Sequence, residues 1–307
     1  MSQSDAPAIN AATRACAVFG SPIRHSASPA MHNAAFASLG LNWRYLAFEV
    51  LPKNVRSAIH GARDMGFAGI NLTVPHKLLA LECVDLLDES ARMWGAVNTI
   101  VFEGCNPQGE WLPLREFQTA LPQEIRSHGF NTDAEGLENS LRDDLQLTLS
   151  GKKILLLGAG GAGRMAALKC ARAGAAELFL VNRTPAKSAE IAAEISRQFP
   201  QVRVSVEYPR VEVDLLLNAT SLGLKPEDSS PLDEKQFSPG RARAVYDMIY
   251  KPAETRLLAT AKAAGCRTAN GLGMLVGQGA RAFQLWTGIA APVQIMRRAA
   301  ELNIYAH

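Results

Sequence analysis

The stretch ILLLGAGGAG, residues 154–163, is the strongest indication of the architecture of the second half of the chain. Gly158, Gly160 and Gly163 have the spacing G-x-G-x-x-G, directly after an apolar run and at the start of the helical stretch RMAALKCARAG. Glycine suits both a tight turn and a close approach of the backbone to a pyrophosphate, whose charge the helix N–H groups can bind. The pattern predicts a dinucleotide-binding turn, with a purely structural glycine turn as the alternative. The predicted cofactor residues of this turn are Gly158, Ala159, Gly160, Gly161, Ala162 and Gly163.

The end of the next strand, VNRTPAK (181–187), bears on which dinucleotide is bound. A cofactor without a 2′-phosphate usually calls for Asp or Glu here, to accept from the ribose hydroxyls. The chain instead has Asn182, Arg183, Thr184 and Lys187. A guanidinium can bind a 2′-phosphate through two hydrogen bonds, so NADP is favoured over NAD. The alternative is that Arg183 and Lys187 are solvated charges, although two cations at a helix start are unfavourable to the helix dipole.

Strands and helices alternate on both sides of the glycine-rich turn. After it, the stretches AAELFLVNRT, VRVSVEY, DLLLNAT and RARAVYDMIY have the composition of strands. Before it, CAVFG, WRYLAFEV and FAGINLTV are strand candidates separated by helical stretches, and HKLLALECVDLL (76–87) is predicted to be helical. This alternation predicts an α/β protein with parallel sheets and helices on their faces.

The length of 307 residues fits two domains better than one. NTDAEGLENSLRDDL (131–145) is predicted to be a connecting helix, and the final helical segment has no strand after it, so it can pack back onto the first domain. We expect an N-terminal α/β substrate domain (1–130 plus 273–307) and a Rossmann-type NADP-binding domain (131–272). The segment 103–130 has no clean periodicity and is predicted to be a long, partly structured loop.

Composition argues against several functional classes. The net charge is +3, and 32 basic and 29 acidic side chains are interspersed, so neither nucleic acid nor membrane is indicated as a partner. Five cysteines lie far apart, which suggests neither a disulfide framework nor a zinc site and fits a reducing cytoplasm. No cluster with metal-ligand spacing is present, and we expect His25, His32 and His76 to be structural.

A series of motifs, in order along nearly the whole chain, resembles the shikimate dehydrogenase family. They are GSPIRHSASPAMHNAAF, GINLTVPHK, GAVNTI, GFNTDAEG, GAGGAG, NRT, NATSLGL, YDMIYKPAETRLL and NGLGMLVGQGARAFQLW. The resemblance implies an NADP-dependent oxidoreductase that interconverts 3-dehydroshikimate and shikimate in aromatic amino acid biosynthesis. It also implies a small-molecule substrate, chemistry in a cleft between the two domains, and a possible homodimer.

Lys77 and Asp133 match the family's catalytic pair. Moving a hydride from a secondary alcohol leaves a hydroxyl proton, which a positioned acid/base group must accept. A free lysine, with a pKa of ~10.4, is a poor base at neutral pH unless burial lowers it, whereas an adjacent Asp holds the ammonium charged. The residues leave open which partner holds the proton at rest. Taken singly, Lys77 could be a surface lysine and Asp133 a helix N-cap.

Other family positions imply binding roles. Ser26 and Ser28 correspond to the residues that hold the substrate carboxylate, and two hydroxyls can do so without a buried counter-charge. The hydroxyl-binding set and a contact near the ring correspond to Asn71, Thr73, Asn98, Gln278 and Tyr250. Positions that hold the nicotinamide half correspond to Thr220, with its neighbours Asn218 and Ala219, and to Met248 and Gly271. Any one of these residues alone would be assigned to a turn, a cap or strand-end packing.

Substrate choice stays open at this point. The family usually joins its GAVNT and NTD motifs by a short hairpin, whereas this chain inserts residues 103–130, which we expect over or beside the substrate pocket. Quinate or an amino-substituted shikimate are therefore alternative substrates. A metabolite-sensing regulator without turnover is a rival from another class, opposed by the intact Lys77, Asp133 and cofactor motifs. A methylenetetrahydrofolate dehydrogenase-like activity is disfavoured by the serine pair.

Overall fold

Two compact units, each built on one sheet, make up the protein. The computed structural model describes residues 7–306, and its first unit combines the chain up to Asp133 with the chain from Val276 onward. The second unit is Ala134–Leu275. Within residues 7–306, no helix has both the length and the apolar character needed to span a membrane.

The strands and helices follow the predicted alternation. The strands of the first unit are β1 (Arg14–Gly20), β2 (Trp43–Glu49), β3 (Gly69–Leu72), β4 (Leu86–Leu87), β5 (Thr99–Cys105), β6 (Trp111–Pro113) and β7 (Ile125–Phe130). Those of the second are β8 (Lys153–Leu157), β9 (Glu177–Val181), β10 (Arg203–Ser205), β11 (Val213–Asn218), β12 (Ala242–Asp247) and β13 (Arg267–Asn270). The helices are α1 (Ser28–Ser38), α2 (Val55–Asp64), α3 (His76–Leu79), α4 (Glu89–Trp94), α5 (Asp133–Leu145), α6 (Gly161–Arg172), α7 (Pro185–Gln198), α8 (Arg256–Ala263), α9 (Leu272–Thr287) and α10 (Val293–Tyr305).

The sheet of the second unit is parallel throughout, with strand order β10-β9-β8-β11-β12-β13. Its central strands are nearly continuous apolar runs because helices or loops cover both faces of a parallel sheet. Leu155, Leu157 and Leu216 lie in its core. The expected Rossmann-type arrangement is confirmed for this unit.

The sheet of the first unit is mixed, which the alternation of strands and helices did not predict. Its order is β2-β1-β3-β5-β7-β4, with β6 paired to β5. The pairs of β1 with β2 and β3 are parallel, whereas β5 runs antiparallel to both β3 and β7. Since β3 and β7 thus run in the same direction, their carboxyl ends lie at the same edge of the sheet, on either side of the start of β5.

The last helices pack on the first unit, as expected. The indole of Trp286 in α9 is buried and donates from Nε1 to the carbonyl oxygen of Ile100 in β5 over 2.9 Å. Gly69 permits this approach, because a Cβ atom there would lie 2.0 Å from the indole nitrogen.

Residues 76–87 do not form the single helix that their composition predicts. Helix α3 ends at Leu79, a 3₁₀ turn follows, and Leu86–Leu87 pair with β7 as β4. Asp85 explains the change, because its carboxylate accepts from both the backbone N–H and the hydroxyl of Ser127 over 2.7 Å. The Asp85 N–H also donates to the Ser127 carbonyl oxygen over 3.1 Å, so the backbone here bonds to β7 instead of continuing the helix.

The inserted segment 103–130 is ordered by strands rather than being a loop over a pocket. Strands β5 and β7 pair from Thr99 opposite Phe130 to Gly104 opposite Ile125. The connecting residues therefore leave the hairpin roughly 17 Å from its Asn98 end, at about 3.4 Å per residue. There Leu114 is buried in the core, so residues 105–124 lie away from Asn98. The end of the segment does lie beside a predicted substrate residue, because the Asn98 N–H donates to the Phe130 carbonyl oxygen over 3.0 Å.

Candidate functional site

Lys77 and Asp133 meet at one edge of the first unit's sheet. Lys77 follows β3, Asp133 follows β7, and Asn98 directly precedes β5, so the three residues lie at the same edge. The Lys77 Nζ atom lies 2.7 Å from Asp133 Oδ2. The Lys77 side chain is 28% exposed and that of Asp133 12%, so the pair is half-sheltered but reachable from solvent.

Asn98 completes the bonding of the Asp133 carboxylate. Its Nδ2 donates to Asp133 Oδ1 over 2.9 Å, and lies 3.0 Å from Thr132 Oγ1 and 3.5 Å from Gln278 Oε1. Its Oδ1 accepts from the backbone N–H of Thr132 over 2.8 Å, which fixes the orientation of the amide because a backbone N–H can only donate. Asp133 therefore accepts from an ammonium on one oxygen and from a fixed amide on the other.

Asn71 lies behind this pair and is 5% exposed. Its Oδ1 accepts from the Tyr45 hydroxyl over 2.7 Å. Its Nδ2 donates to the Asn98 carbonyl over 3.1 Å and to Thr99 Oγ1 over 3.0 Å. Both amide hydrogens are used inside the protein, so Asn71 has only the second lone pair of Oδ1 left for a ligand.

Ser26 and Thr73 lie on the loops that follow β1 and β3, and Ser28 is the first residue of α1, which the first of these loops enters. Because these strands are parallel, the loops leave the sheet at the same edge. The Ser28 N–H points to the Ser26 hydroxyl oxygen over 3.3 Å, and the Thr73 N–H donates to the Phe19 carbonyl over 3.0 Å. Gly20 lets the loops lie together, because a Cβ atom there would be 2.5 Å from the Thr73 methyl.

The glycine-rich turn of the second unit contains two kinds of glycine: those that the backbone or packing requires, and those with free space around them. Gly158 has φ +104°, and a Cβ on Gly163 would lie 2.1 Å from the Gly158 carbonyl oxygen, so both must be glycine. Gly160 and Gly161 are exposed, with no protein atom within 4 Å of an added Cβ. No side chain caps the start of α6 here. Open backbone at an uncapped helix start fits a pyrophosphate.

The end of β9 offers cations and no carboxylate. Asn182 accepts from the Ala159 N–H over 3.2 Å and donates to the Thr184 carbonyl over 2.9 Å, so it ties this end to the glycine-rich turn. Arg183 and Lys187 are exposed, and within residues 7–306 neither forms a salt bridge. They are available to a ligand phosphate.

The other predicted cofactor and ring contacts lie at the ends of β11, β12 and β13. Thr220 donates from its hydroxyl to Asn218 Oδ1 over 2.8 Å. Gly271 packs against Met248, since a Cβ on it would lie 2.0 Å from the Met248 carbonyl oxygen. Tyr250 follows β12 in this second unit and is half-buried, whereas the other predicted substrate residues belong to the first unit.

Asp247 is a buried polar residue that sequence reasoning missed. Its carboxylate accepts from Asn218 Nδ2 over 2.9 Å, from the Thr255 hydroxyl over 2.7 Å and from the Ile249 N–H over 3.0 Å. Burial raises the pKa of this carboxyl group, and the three hydrogen bonds oppose the rise. Its position directly after the stretch AVY was the only available signal.

Tyr45 and Thr99 were missed for a similar reason. Both are fully buried, and each has the β-branched or aromatic character that suits any strand. Burial raises the pKa of the Tyr45 phenol well above its usual value, so the phenol stays protonated and can donate. The adjacency of Thr99 to Asn98 was the only local sign of a role.

The histidines predicted to be structural occupy different environments. His25 is exposed, and His32 is fully buried, with its ring stacked 4.3 Å from that of Tyr45. Burial lowers the pKa of His32 to about 3, so it is neutral. In the part of the chain from residue 7 to 306, no group of three His, Cys, Asp or Glu side chains is placed to hold a metal ion.

Three family descriptions match successive parts of the chain. The shikimate dehydrogenase substrate binding domain matches residues 18–100, shikimate/quinate 5-dehydrogenase matches 140–222, and the shikimate 5′-dehydrogenase C-terminal domain matches 271–301. Shikimate dehydrogenase (NADP(+)) of Methanopyrus kandleri is 39% identical over 298 residues, covering 95% of this chain and 96% of the relative.

Solved structures share the fold over the same length. Shikimate 5-dehydrogenase of Thermus thermophilus, in complex with NADP(H) and shikimate, has a TM-score of 0.79 at 36% identity, covering 94% of this chain and 99% of that one. The ligand-free 5-ketofructose reductase of a Gluconobacter species also has a TM-score of 0.79, at 31% identity, covering 95% and 99%. Identity of this extent over nearly the full length shows that the chain belongs to the shikimate dehydrogenase family.

Proposed function

We propose that this chain reduces 3-dehydroshikimate to shikimate reversibly, with Lys77 and Asp133 handling the proton. As a member of the shikimate dehydrogenase family it is an oxidoreductase, and its cofactor is NADP. The observation that carries the residue assignment is the 2.7 Å contact between the Lys77 ammonium and the Asp133 carboxylate, at a solvent-reachable edge of the sheet.

The Lys77–Asp133 pair can take up and release one proton, and each of the two groups has the other as its partner throughout. During oxidation of shikimate, the ring hydroxyl passes its proton to the Lys77–Asp133 pair, while bound NADP supplies the chemistry of hydride transfer. During reduction the same pair returns the proton to the forming alkoxide. Asn98 keeps the Asp133 carboxylate in place through its 2.9 Å bond, so the ammonium does not have to be held by a freely rotating partner.

The remaining predicted residues divide between the two units. In the proposal, Ser26, Ser28 and Thr73 bind the substrate carboxylate and a ring hydroxyl. Asn98 lies beside the Asp133 carboxylate, and Gln278 Oε1 lies 3.5 Å from the Asn98 amide nitrogen. Asn71 supports this set from behind, because both of its amide hydrogens are used. The second unit, with Tyr250 as its ring contact, holds NADP.

In the cofactor part of the proposal, the open backbone from Gly158 to Gly163 binds the pyrophosphate. Arg183 and Lys187 bind the 2′-phosphate, since no carboxylate follows β9 to repel it. Asn182 and Thr184 shape this strand end, and the nicotinamide half contacts Thr220, Met248 and Gly271.

The test is to follow NADPH absorbance with shikimate and NADP in native protein, Lys77→Ala and a matched control, Lys53→Ala. Lys53 is exposed and lies outside the site. We expect kcat of Lys77→Ala to fall by about 10²–10⁴-fold, the usual worth of a general acid/base, and Lys53→Ala to match the native protein. Equal rates in all three would disprove the role of Lys77. Quinate assayed in parallel, and NAD in place of NADP, measure substrate and cofactor preference.

Location and assembly belong to the same proposal. We infer a cytoplasmic protein, which the free state of all five cysteines supports, and fractionation of cells would test it. A homodimer is supported by the exposed Leu46 and Phe48 on the edge strand β2, and sedimentation would test it.

A further inference from the structure

A line of buried hydrogen bonds leads from strand β2 to the Asp133 carboxylate. The Tyr45 hydroxyl donates to Asn71 Oδ1, and Asn71 Nδ2 donates to Thr99 Oγ1. The Thr99 hydroxyl donates to Asn98 Oδ1 over 3.0 Å. Asn98 Nδ2 then donates to Asp133 Oδ1, whose other oxygen accepts from Lys77.

The direction of each bond is set by groups that cannot reverse. Asn71 must present Nδ2 toward Thr99, because the same nitrogen donates to the backbone carbonyl of Asn98. Asn98 must present Oδ1 toward Thr99, because it accepts from the backbone N–H of Thr132. Between the two amides, the Thr99 hydroxyl accepts from Asn71 and donates to Asn98; the Thr132 hydroxyl, 3.3 Å away, is its other neighbour. The line therefore has one polarity, ending in donation to the carboxylate.

Packing holds the first member of the line. The backbone of Tyr45 is clamped by Asn33, which accepts from its N–H over 2.9 Å and donates to its carbonyl over 2.8 Å. The Tyr45 ring is stacked on that of His32 with an interplanar angle of 12°. A hydroxyl so placed has little freedom to turn away from Asn71.

We propose that Tyr45 and Thr99 are positioning residues for the reaction, which orient Asn71 and Asn98 so that Asn98 donates to Asp133 with fixed geometry. Neither residue touches solvent, since both are fully buried, so each acts through its hydrogen-bond partners. These are the amides and, for the Tyr45 phenol, also the Ser28 side chain. Successive donors polarise one another, which strengthens the last bond to the carboxylate. The inference rests on the proposed role of the Lys77–Asp133 pair.

The test compares Thr99→Val, which removes only the hydroxyl, with Thr99→Ser, which keeps it, and adds Tyr45→Phe. Steady-state oxidation of shikimate is measured together with thermal unfolding. We expect Thr99→Val and Tyr45→Phe to lower kcat about tenfold, equivalent to one net hydrogen bond, with KM for NADP unchanged. Thr99→Ser should recover to within about twofold of native kcat, because its hydroxyl can make the same two bonds.

Two outcomes would overturn the inference: native kcat in Thr99→Val, or an equal loss in Thr99→Val and Thr99→Ser. A rise in KM for NADP with unchanged kcat would likewise show that the hydroxyl does not act on the chemical step. Asp133→Asn, assayed alongside, separates this failure from that of the proposed function. If Asp133→Asn is inactive while Thr99→Val is native, the pair stands and the positioning role falls; if Asp133→Asn is fully active, the pair itself is wrong.

Discussion

Two buried carboxylates, one in each unit, each accept a hydrogen bond from an asparagine amide but differ in their second partner and in their exposure to solvent. An asparagine amide donates to each over 2.9 Å: Asn98 to Asp133 and Asn218 to Asp247. The second oxygen of Asp133 meets the Lys77 ammonium, whereas that of Asp247 meets the neutral Thr255 hydroxyl. Asp133 keeps some exposure and Asp247 has none. A partner cation and an opening to solvent therefore distinguish a carboxylate available for chemistry from one that holds loops together.

The largest expected effect is on the reaction. Asp133→Asn keeps the shape and the bond from Asn98 but removes the charge that faces Lys77, so we expect kcat to fall by about 10²–10⁴-fold. Asp247→Asn makes the same chemical change at the other carboxylate and should retain native kcat. Initial rates of NADP reduction by shikimate measure both. Comparable losses of kcat in the two variants would show that the cation and the exposure at Asp133 do not distinguish it from Asp247.

The next effect concerns stability in the second unit. Asp247→Val leaves the donors of Asn218, Ile249 and Thr255 without their acceptor, and an unsatisfied buried donor costs about 1–3 kcal/mol. We expect the free energy of unfolding, measured by urea denaturation, to fall by about 3 kcal/mol. Asp247→Asn is the control, since its amide oxygen can still accept. A native unfolding curve for Asp247→Val would show that these bonds contribute nothing.

The smallest expected effect is on the pH dependence of stability, to which His32 in the first unit and Asp247 in the second contribute with opposite sign. His32 has its pKa lowered from 6.5 to about 3, so the unfolded chain binds its proton more tightly and stability is lost as pH falls below 6.5. At pH 5 this amounts to about 2 kcal/mol, at 1.36 kcal/mol per unit. Asp247 has a raised pKa, so the folded chain binds the proton more tightly, and stability is gained as pH falls through that pKa.

Amide hydrogen exchange between pH 7 and pH 5 can measure the stability of each unit separately. We expect His32→Phe to remove much of the acid sensitivity of the first unit, because the phenyl ring fills the stacked position beside Tyr45 without a titratable nitrogen. Asp247→Asn should be more stable than the native protein at high pH, with the difference shrinking on acidification. An unchanged pH dependence in His32→Phe would contradict the assignment to His32.

The features that could be predicted from the sequence are those that a local pattern determines. The glycine spacing from Gly158 to Gly163, the apolar strands of the second unit and the helical end of the chain were all recognisable, because each depends on neighbours a few residues away. The contact of Lys77 with Asp133 was expected only through the resemblance, since no local pattern joins residues 56 positions apart.

What could not be predicted depends on distant pairing. Residues 76–87 leave the helix because Asp85 bonds to Ser127, and the insertion is ordered because β5 and β7 pair. The hydrogen bonds of Asn71 could not be predicted for the same reason: its amide hydrogens are taken by Asn98 and Thr99, which only the folded sheet brings close. Tertiary pairing here overrides composition.

The Trp286 indole against Gly69 has a consequence for biosynthesis. On the ribosome, residues 134–275 emerge as a complete unit before the tryptophan does. Strands β3 and β5 are made much earlier, and Gly69 and the Ile100 carbonyl stay without their tryptophan partner until the last helices are translated. Released chains that lack residues 276–307 should therefore bind chaperones through the first unit while the second unit is folded.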